Sequence, residues 1–91
     1  MDGIWIRTQD RKGLIYAQRI AIESFKEWKS EEFKYRIVNQ VLYQDVANDY
    51  DLLGVYDTEE RAIEVLDSIQ NIIMAHILGD MINPVFEMPK A

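Results

Sequence analysis

Hydrophobic and polar residues alternate at two different periods along this chain, and the change of period falls near residue 57. Residues 3–8 are short, β-branched and aromatic, and the polar run over 9–13 ends in Gly13, which together predict a strand and a turn. Residues 14–25 continue in an extended pattern. Leu14, Tyr16, Ile20 and Ile22 share one face and Ile15, Ala17, Arg19 and Ala21 the other, with Gln18 interrupting the first. Residues 26–34 are charged but carry Trp28 and Phe33, so they fit either a long hairpin loop or one helical turn. A third strand is expected over 34–44, where Tyr35, Ile37, Asn39, Val41 and Tyr43 alternate with Arg36, Val38, Gln40 and Leu42. Asn48-Asp49 tolerates left-handed backbone, which places a reversal over 46–50 and a fourth strand over 51–56.

Beyond residue 57 the period is helical. Asp57 is the expected N-cap, with Glu60 at N3 completing a capping box and the neighbouring acids meeting the positive end of the helix dipole. The helix should span 58–78, with Gly79 as its left-handed terminator and Pro84 preventing continuation. Ala62, Val65, Leu66, Ile69, Ile72, Ile73, His76 and Ile77 form one stripe, which should face the sheet. Ile63, Met74 and Leu78 fall on its flank and Ala75 nearly opposite, so the last two turns are apolar most of the way round. Either a second copy covers that end through Ile72, Met74, Ala75 and Leu78, or residues 85–88 fold back over it as a short strand. The expected fold class is α+β: a four- or five-stranded antiparallel meander sheet packed on one long C-terminal helix, forming a single domain over 1–91.

Composition narrows the chemistry. The 91 residues include no cysteine, which excludes a disulfide framework and any thiolate metal site. The opening residues lack the plan of a signal peptide, and the longest apolar run, 72–78, falls well short of the roughly 18–20 residues that span a bilayer; a cytoplasmic protein without membrane contact is expected. The net charge of −6 argues against general nucleic-acid binding. Charge is unevenly divided. Eight Lys/Arg face six Asp/Glu up to Arg36, against two and ten from Ile37 onward, so the second part is strongly acidic. Charge runs are usually solvated faces, but an acidic one can also hold a basic partner or imitate nucleic acid.

Few side chains suit catalysis. His76 is the single histidine and lies on the apolar stripe, where a packed histidine is the ordinary reading and a catalytic base or metal ligand the rarer one. Asp45, Asp49 and Asp51 approach one another around a turn without the spacing or glycine of a calcium loop, and no glycine-rich phosphate loop is present. No metal, cofactor or enzymatic activity is therefore expected. What remains is a concentration of aromatic and arginine side chains on the strands. Trp5, Arg7, Arg19, Tyr35 and Arg36 are the candidate ligand-binding residues, because rings stack on bases and guanidinium forks grip phosphates. Half-buried strands also select aromatic residues for packing alone. Trp5 and Arg7 share a strand face, so both are buried or both are open.

The strand Trp5-Ile6-Arg7-Thr8-Gln9, the run Leu53-Gly54-Val55-Tyr56 leading into Glu64-Val65-Leu66-Asp67-Ser68-Ile69-Gln70, and the final Phe86-Glu87-Met88-Pro89 resemble short proteins encoded in phages and prophages of Firmicutes. Residues 23–50 depart from that pattern. The expected architecture is also similar to that of the Thoeris anti-defence sponges, which sequester cyclic ADP-ribose-type immune signals. This likeness implies a non-enzymatic counter-defence protein of the host cytoplasm whose oligomer encloses a small anionic nucleotide. The acidic second half supports a different expectation: an inhibitor that binds a host defence protein through Asp57, Glu59, Glu60 and Glu64. A small structural or interaction module is the third.

Overall fold

The extended pattern over 14–25 is not one strand, because the chain changes faces at Gln18 and Arg19. In the computed structural model, which describes residues 3–41, 50–79, 82 and 84–91, β2 (Leu14–Ala17) turns Ala17 into the core and leaves Leu14 and Tyr16 exposed. After the two-residue break, β3 (Ile20–Lys26) turns Ile20 and Ile22 towards the core instead. The N–H groups of Gln18 and Arg19 both donate to the side-chain oxygen of Asn39, at 3.1 Å each, so the break keeps its donors satisfied. Leu14 and Tyr16 therefore do not share a face with Ile20 and Ile22.

The corner separates two sheets. β1 (Ile4–Arg7) pairs antiparallel with β2, and β6 (Val85–Glu87) pairs parallel with the other edge of β1, in the order β2-β1-β6. β3, β4 (Phe33–Gln40) and β5 (Tyr50–Tyr56) form the second sheet in antiparallel order. The α+β class holds, but the single four- or five-stranded meander is replaced by two three-stranded sheets. Local hairpin pairing is as the alternation suggests, whereas a parallel neighbour for β1 needs a long crossover that no local pattern encodes. Residues 27–32 form the β3–β4 turn, with Lys29 in left-handed backbone at φ 64° and a Ser30 N–H to Glu27 C=O bond of 3.0 Å. The expected extension of β4 over 42–44 and the reversal over 46–49 lie outside the described residues.

Gln9 joins the two sheets opposite the corner. Its backbone N–H donates to the Leu53 carbonyl at 2.9 Å, and its side-chain amide pairs with Val55 as a strand would: Oε1 accepts from the Val55 N–H at 2.8 Å and Nε2 donates to the Val55 carbonyl at 3.0 Å. Nε2 also reaches the Pro89 and Lys90 carbonyls at 3.2 and 2.9 Å. The C-terminal residues are thus drawn into the same joint, where Tyr56 donates its hydroxyl to Pro89 C=O at 2.8 Å. Gly54 fits between them; a Cβ there would stand 3.1 Å from the Tyr56 hydroxyl and 3.2 Å from Met88 Cε.

α1 (Glu59–Ile77) packs on the second sheet. Its cap is Thr58, not Asp57: the Thr58 backbone is extended and its Oγ1 accepts from the Arg61 N–H at 3.1 Å, which places Arg61 at N3 and removes the expected capping box. Glu59 and Glu60 still occupy the first turn. Gly79 follows at φ 85° and donates to the His76 carbonyl. One core results, with Ile4, Ile6 and Ala17 from the first sheet, Ile37, Leu53 and Tyr56 from the second, Ala62, Val65 and Ile69 from the helix, and Met88 closing it. Burial of each larger aliphatic side chain contributes roughly 1.5–3 kcal/mol, so this shared core binds both sheets to one helix.

Candidate functional site

The phase of β1 is settled by Ile4 and Ile6, which are buried, so Trp5 and Arg7 lie on the open side of the first sheet. Trp5 stands opposite Tyr16 in the register, and the rings meet edge to face at 5.3 Å. Leu14, opposite Arg7, and Val85, beside Trp5, are about half exposed and extend the patch. Arg7 donates from Nη1 to the Arg11 carbonyl at 3.4 Å, while its Nε is buried with no hydrogen-bond partner. Arg11 and Glu87 form an exposed ion pair at 3.6 Å on the same margin. Below it the turn is fixed by Asp10, whose carboxyl is held below its usual pKa by the Thr8 hydroxyl and then by the Lys12 N–H.

The other candidate ligand residues stand elsewhere. Arg36 lies on the outer face of the second sheet, where Nε and Nη2 both reach Glu23 Oε1 at 3.0 Å and the guanidinium sits 4.6 Å from the Tyr50 ring centre and 5.3 Å from that of Phe25. That arginine is already neutralised and stacked. Arg19 is exposed at the β2–β3 corner, where its carbonyl accepts from the Gln40 N–H. Tyr35 faces the helix side and packs against the core. Trp5 and Arg7 are therefore the only two of the five that share a surface.

Tyr35 instead belongs to a different concavity. A groove of about 770 Å3 is lined by Glu32, Phe33 and Tyr35 from the end of the β3–β4 turn and the start of β4, and by Asp57, Thr58, Glu59, Glu60 and Ile63 from the helix start. The register opposes Tyr35 to Tyr56, the residue before this helix entry, and so brings together segments more than twenty positions apart. The floor is apolar, with Phe33 51% and Ile63 44% exposed, and four of the lining residues are carboxylates. A cation already finds this aromatic lining: the Lys26 ammonium lies 4.5 Å from the Phe33 ring centre. Glu64, expected to join the acidic surface, pairs with Arg61 at 3.1 Å outside the groove. Glu32, Phe33 and Ile63 carry no local signature of a site, since only strand pairing brings them beside the helix start.

At the far half of α1, Met74 and Leu78 are exposed, whereas Ile72 and Ala75 are half-buried, Ile72 against the core. β6 pairs with β1, and its Phe86 packs against the same core as Ile72 and Ile73. His76 is half-buried on the helix. Among the described residues no group of three or more His, Cys, Asp or Glu could hold a metal ion; Asp45 and Asp49 of the acidic turn lie outside them, and Asp51 accepts from Asn39 Nδ2 at 3.2 Å. No helix among the described residues is long and apolar enough to cross a membrane. No protein-family model matches this chain, and neither does any curated protein or solved structure.

Proposed function

We propose that this chain is a non-catalytic binding protein whose acidic groove receives a basic segment of a partner protein. The carrying observation is the composition of that groove: a floor of exposed Phe33 and Ile63 and half-buried Tyr35 under a rim of Glu32, Asp57, Glu59 and Glu60, with no basic group among its lining residues. Apolar floor and charged rim are the two parts of a protein-recognition surface, the first supplying affinity and the second orientation and rate of encounter. In the setting implied by the phage resemblance, the partner is a host defence factor and the binding inhibits it. Calorimetric titration with Lys/Arg-rich peptides carrying one central Leu or Phe tests the reading. Binding should weaken at least tenfold when Glu32, Asp57, Glu59 and Glu60 are changed to their amides, and should fall as salt rises. An unchanged affinity in the amide variant would remove the proposal.

A second reading is sequestration of a small anionic nucleotide on the Trp5, Tyr16 and Arg7 face. The unpartnered Nε of Arg7 beside an exposed ring pair favours it. This face is open on one side, so enclosure of a ligand requires a facing copy, as in the sponge architecture. Thermal-shift measurements with ADP-ribose, cyclic ADP-ribose and cyclic dinucleotides address it: stabilisation that disappears in both Trp5→Ala and Arg7→Ala supports it, and a flat response across the panel removes it. The two readings fail separately, because the variants lie on different surfaces.

A further inference from the structure

A second apolar concavity lies between the far half of α1 and the β2–β3 corner. It has a volume of about 360 Å3, and Ile20, Leu66, Ile69, Ile73, Met74 and Ile77 supply most of its wall. Two of its lining residues project, Met74 at 48% and Ile77 at 57% exposed, and Leu78, the next residue along the chain, is 70% exposed. Residues 68–79 contain no Asp, Glu, Lys or Arg, whereas the first turns of the same helix carry Glu59, Glu60, Arg61, Glu64 and Asp67.

We propose that the occupant of this groove is the helix end of a second copy of the chain, in a two-fold dimer. Charge selects that occupant. Two copies of a chain of net charge −6 repel one another on balance, and a face without charges lowers that cost; the twelve residues 68–79 provide one on α1. A basic partner finds no carboxylate on this stretch to pair with, and an anionic lipid surface finds no lysine or arginine. Geometry agrees with charge. A two-fold interface must be self-complementary, carrying both the projection and its receptor on one patch. Here Leu78 projects one turn, about 6 Å, beyond Met74 at the groove rim, so an axis passing near Met74 lays each Leu78 over the other copy's groove. The acidic groove stands at the other end of the helix and stays open in this arrangement.

Sedimentation velocity over a concentration series should give a species of twice 10.7 kDa for the wild type and a monomer for Leu78→Glu. That position is mostly exposed, so circular dichroism should be unchanged and loss of the dimer is not loss of the fold. The chain has no cysteine, which makes cross-linking free of background. Met74→Cys should form a covalent dimer under mild oxidant at least tenfold faster than Trp28→Cys, placed at the exposed β3–β4 turn. A monomeric wild type at 100 μM, a dimer that survives Leu78→Glu, or equal cross-linking of the two cysteine variants would each overturn the proposal. Co-sedimentation of a monomeric chain with phosphatidylcholine vesicles would overturn it too, by assigning the patch to a lipid surface.

Discussion

The side-chain amide of Gln9 joins four backbone groups from two other segments of the chain. It meets the N–H and carbonyl of Val55 and two carbonyls of the C-terminal segment, while the backbone N–H of Gln9 meets Leu53. Gln9→Leu keeps the volume and removes the partners, leaving backbone groups of the joint unpaired; the expected loss is about 2–4 kcal/mol in urea denaturation. Gln9→Glu should not restore it, because a carboxylate accepts from Val55 but cannot donate to the three carbonyls. Tyr56 predicts a pH dependence at the same joint. Burial pushes its hydroxyl up to about 12 from 10, the nearby Arg61 only partly opposing this. Between those values the folded chain keeps a proton that the unfolded chain has lost. Stability is therefore complete below pH 10 and declines as pH rises through 12, by on the order of 2 kcal/mol. Tyr56→Phe should cost about 1 kcal/mol at neutral pH and flatten that alkaline decline, read from urea midpoints at pH 8 to 12.

At the scale of elements, helix existence was legible and its entry was not. The 3.6-residue spacing of Ala62, Val65 and Ile69 marks the buried stripe, but two adjacent residues, Asp57 and Thr58, both qualify as caps. Packing chooses between them. Thr58→Ala should destabilise by about 1 kcal/mol, whereas Asp57→Ala should change stability by only a few tenths; thermal melts of the two variants distinguish the assignments. The strand over 14–25 failed for a comparable reason. Alternation reports which residues are apolar, and Gln18 interrupts it at the place of the break, but the reversal of faces there depends on Asn39, which accepts from both N–H groups from another strand. The register itself, with Glu23 opposite Arg36, comes from the structure.

For the molecule as a whole, three segments distant from one another in the sequence meet at one place. Thr8 and Gln9, then Leu53, Gly54 and Tyr56, then Met88 and Pro89 all contribute to the junction of the sheets or to the turn beside it. Those segments join the two sheets, and Tyr56 also pairs with Tyr35 beside the acidic groove. Deleting residues 85–91 removes a strand, the Met88 side chain and the acceptors of Gln9 and Tyr56 together. A loss of on the order of 3–5 kcal/mol is expected, seen as an earlier and broader urea transition by circular dichroism.

The sequence by itself determined the class of the protein, the helix and its terminator, the hairpin order of the central strands and the acidity of the second half, because periodicity, turn residues and charge act over a few neighbouring positions. Only tertiary structure decided that the strands divide into two sheets, that β6 runs parallel to β1, and that Arg36 is neutralised while Trp5 stays open. The acidic groove belongs to the same class of outcome. Its walls come from residues 32–35 and 57–63, and what unites them is the pairing of Tyr35 with Tyr56, a contact whose free energy depends on a shared core rather than on either segment alone.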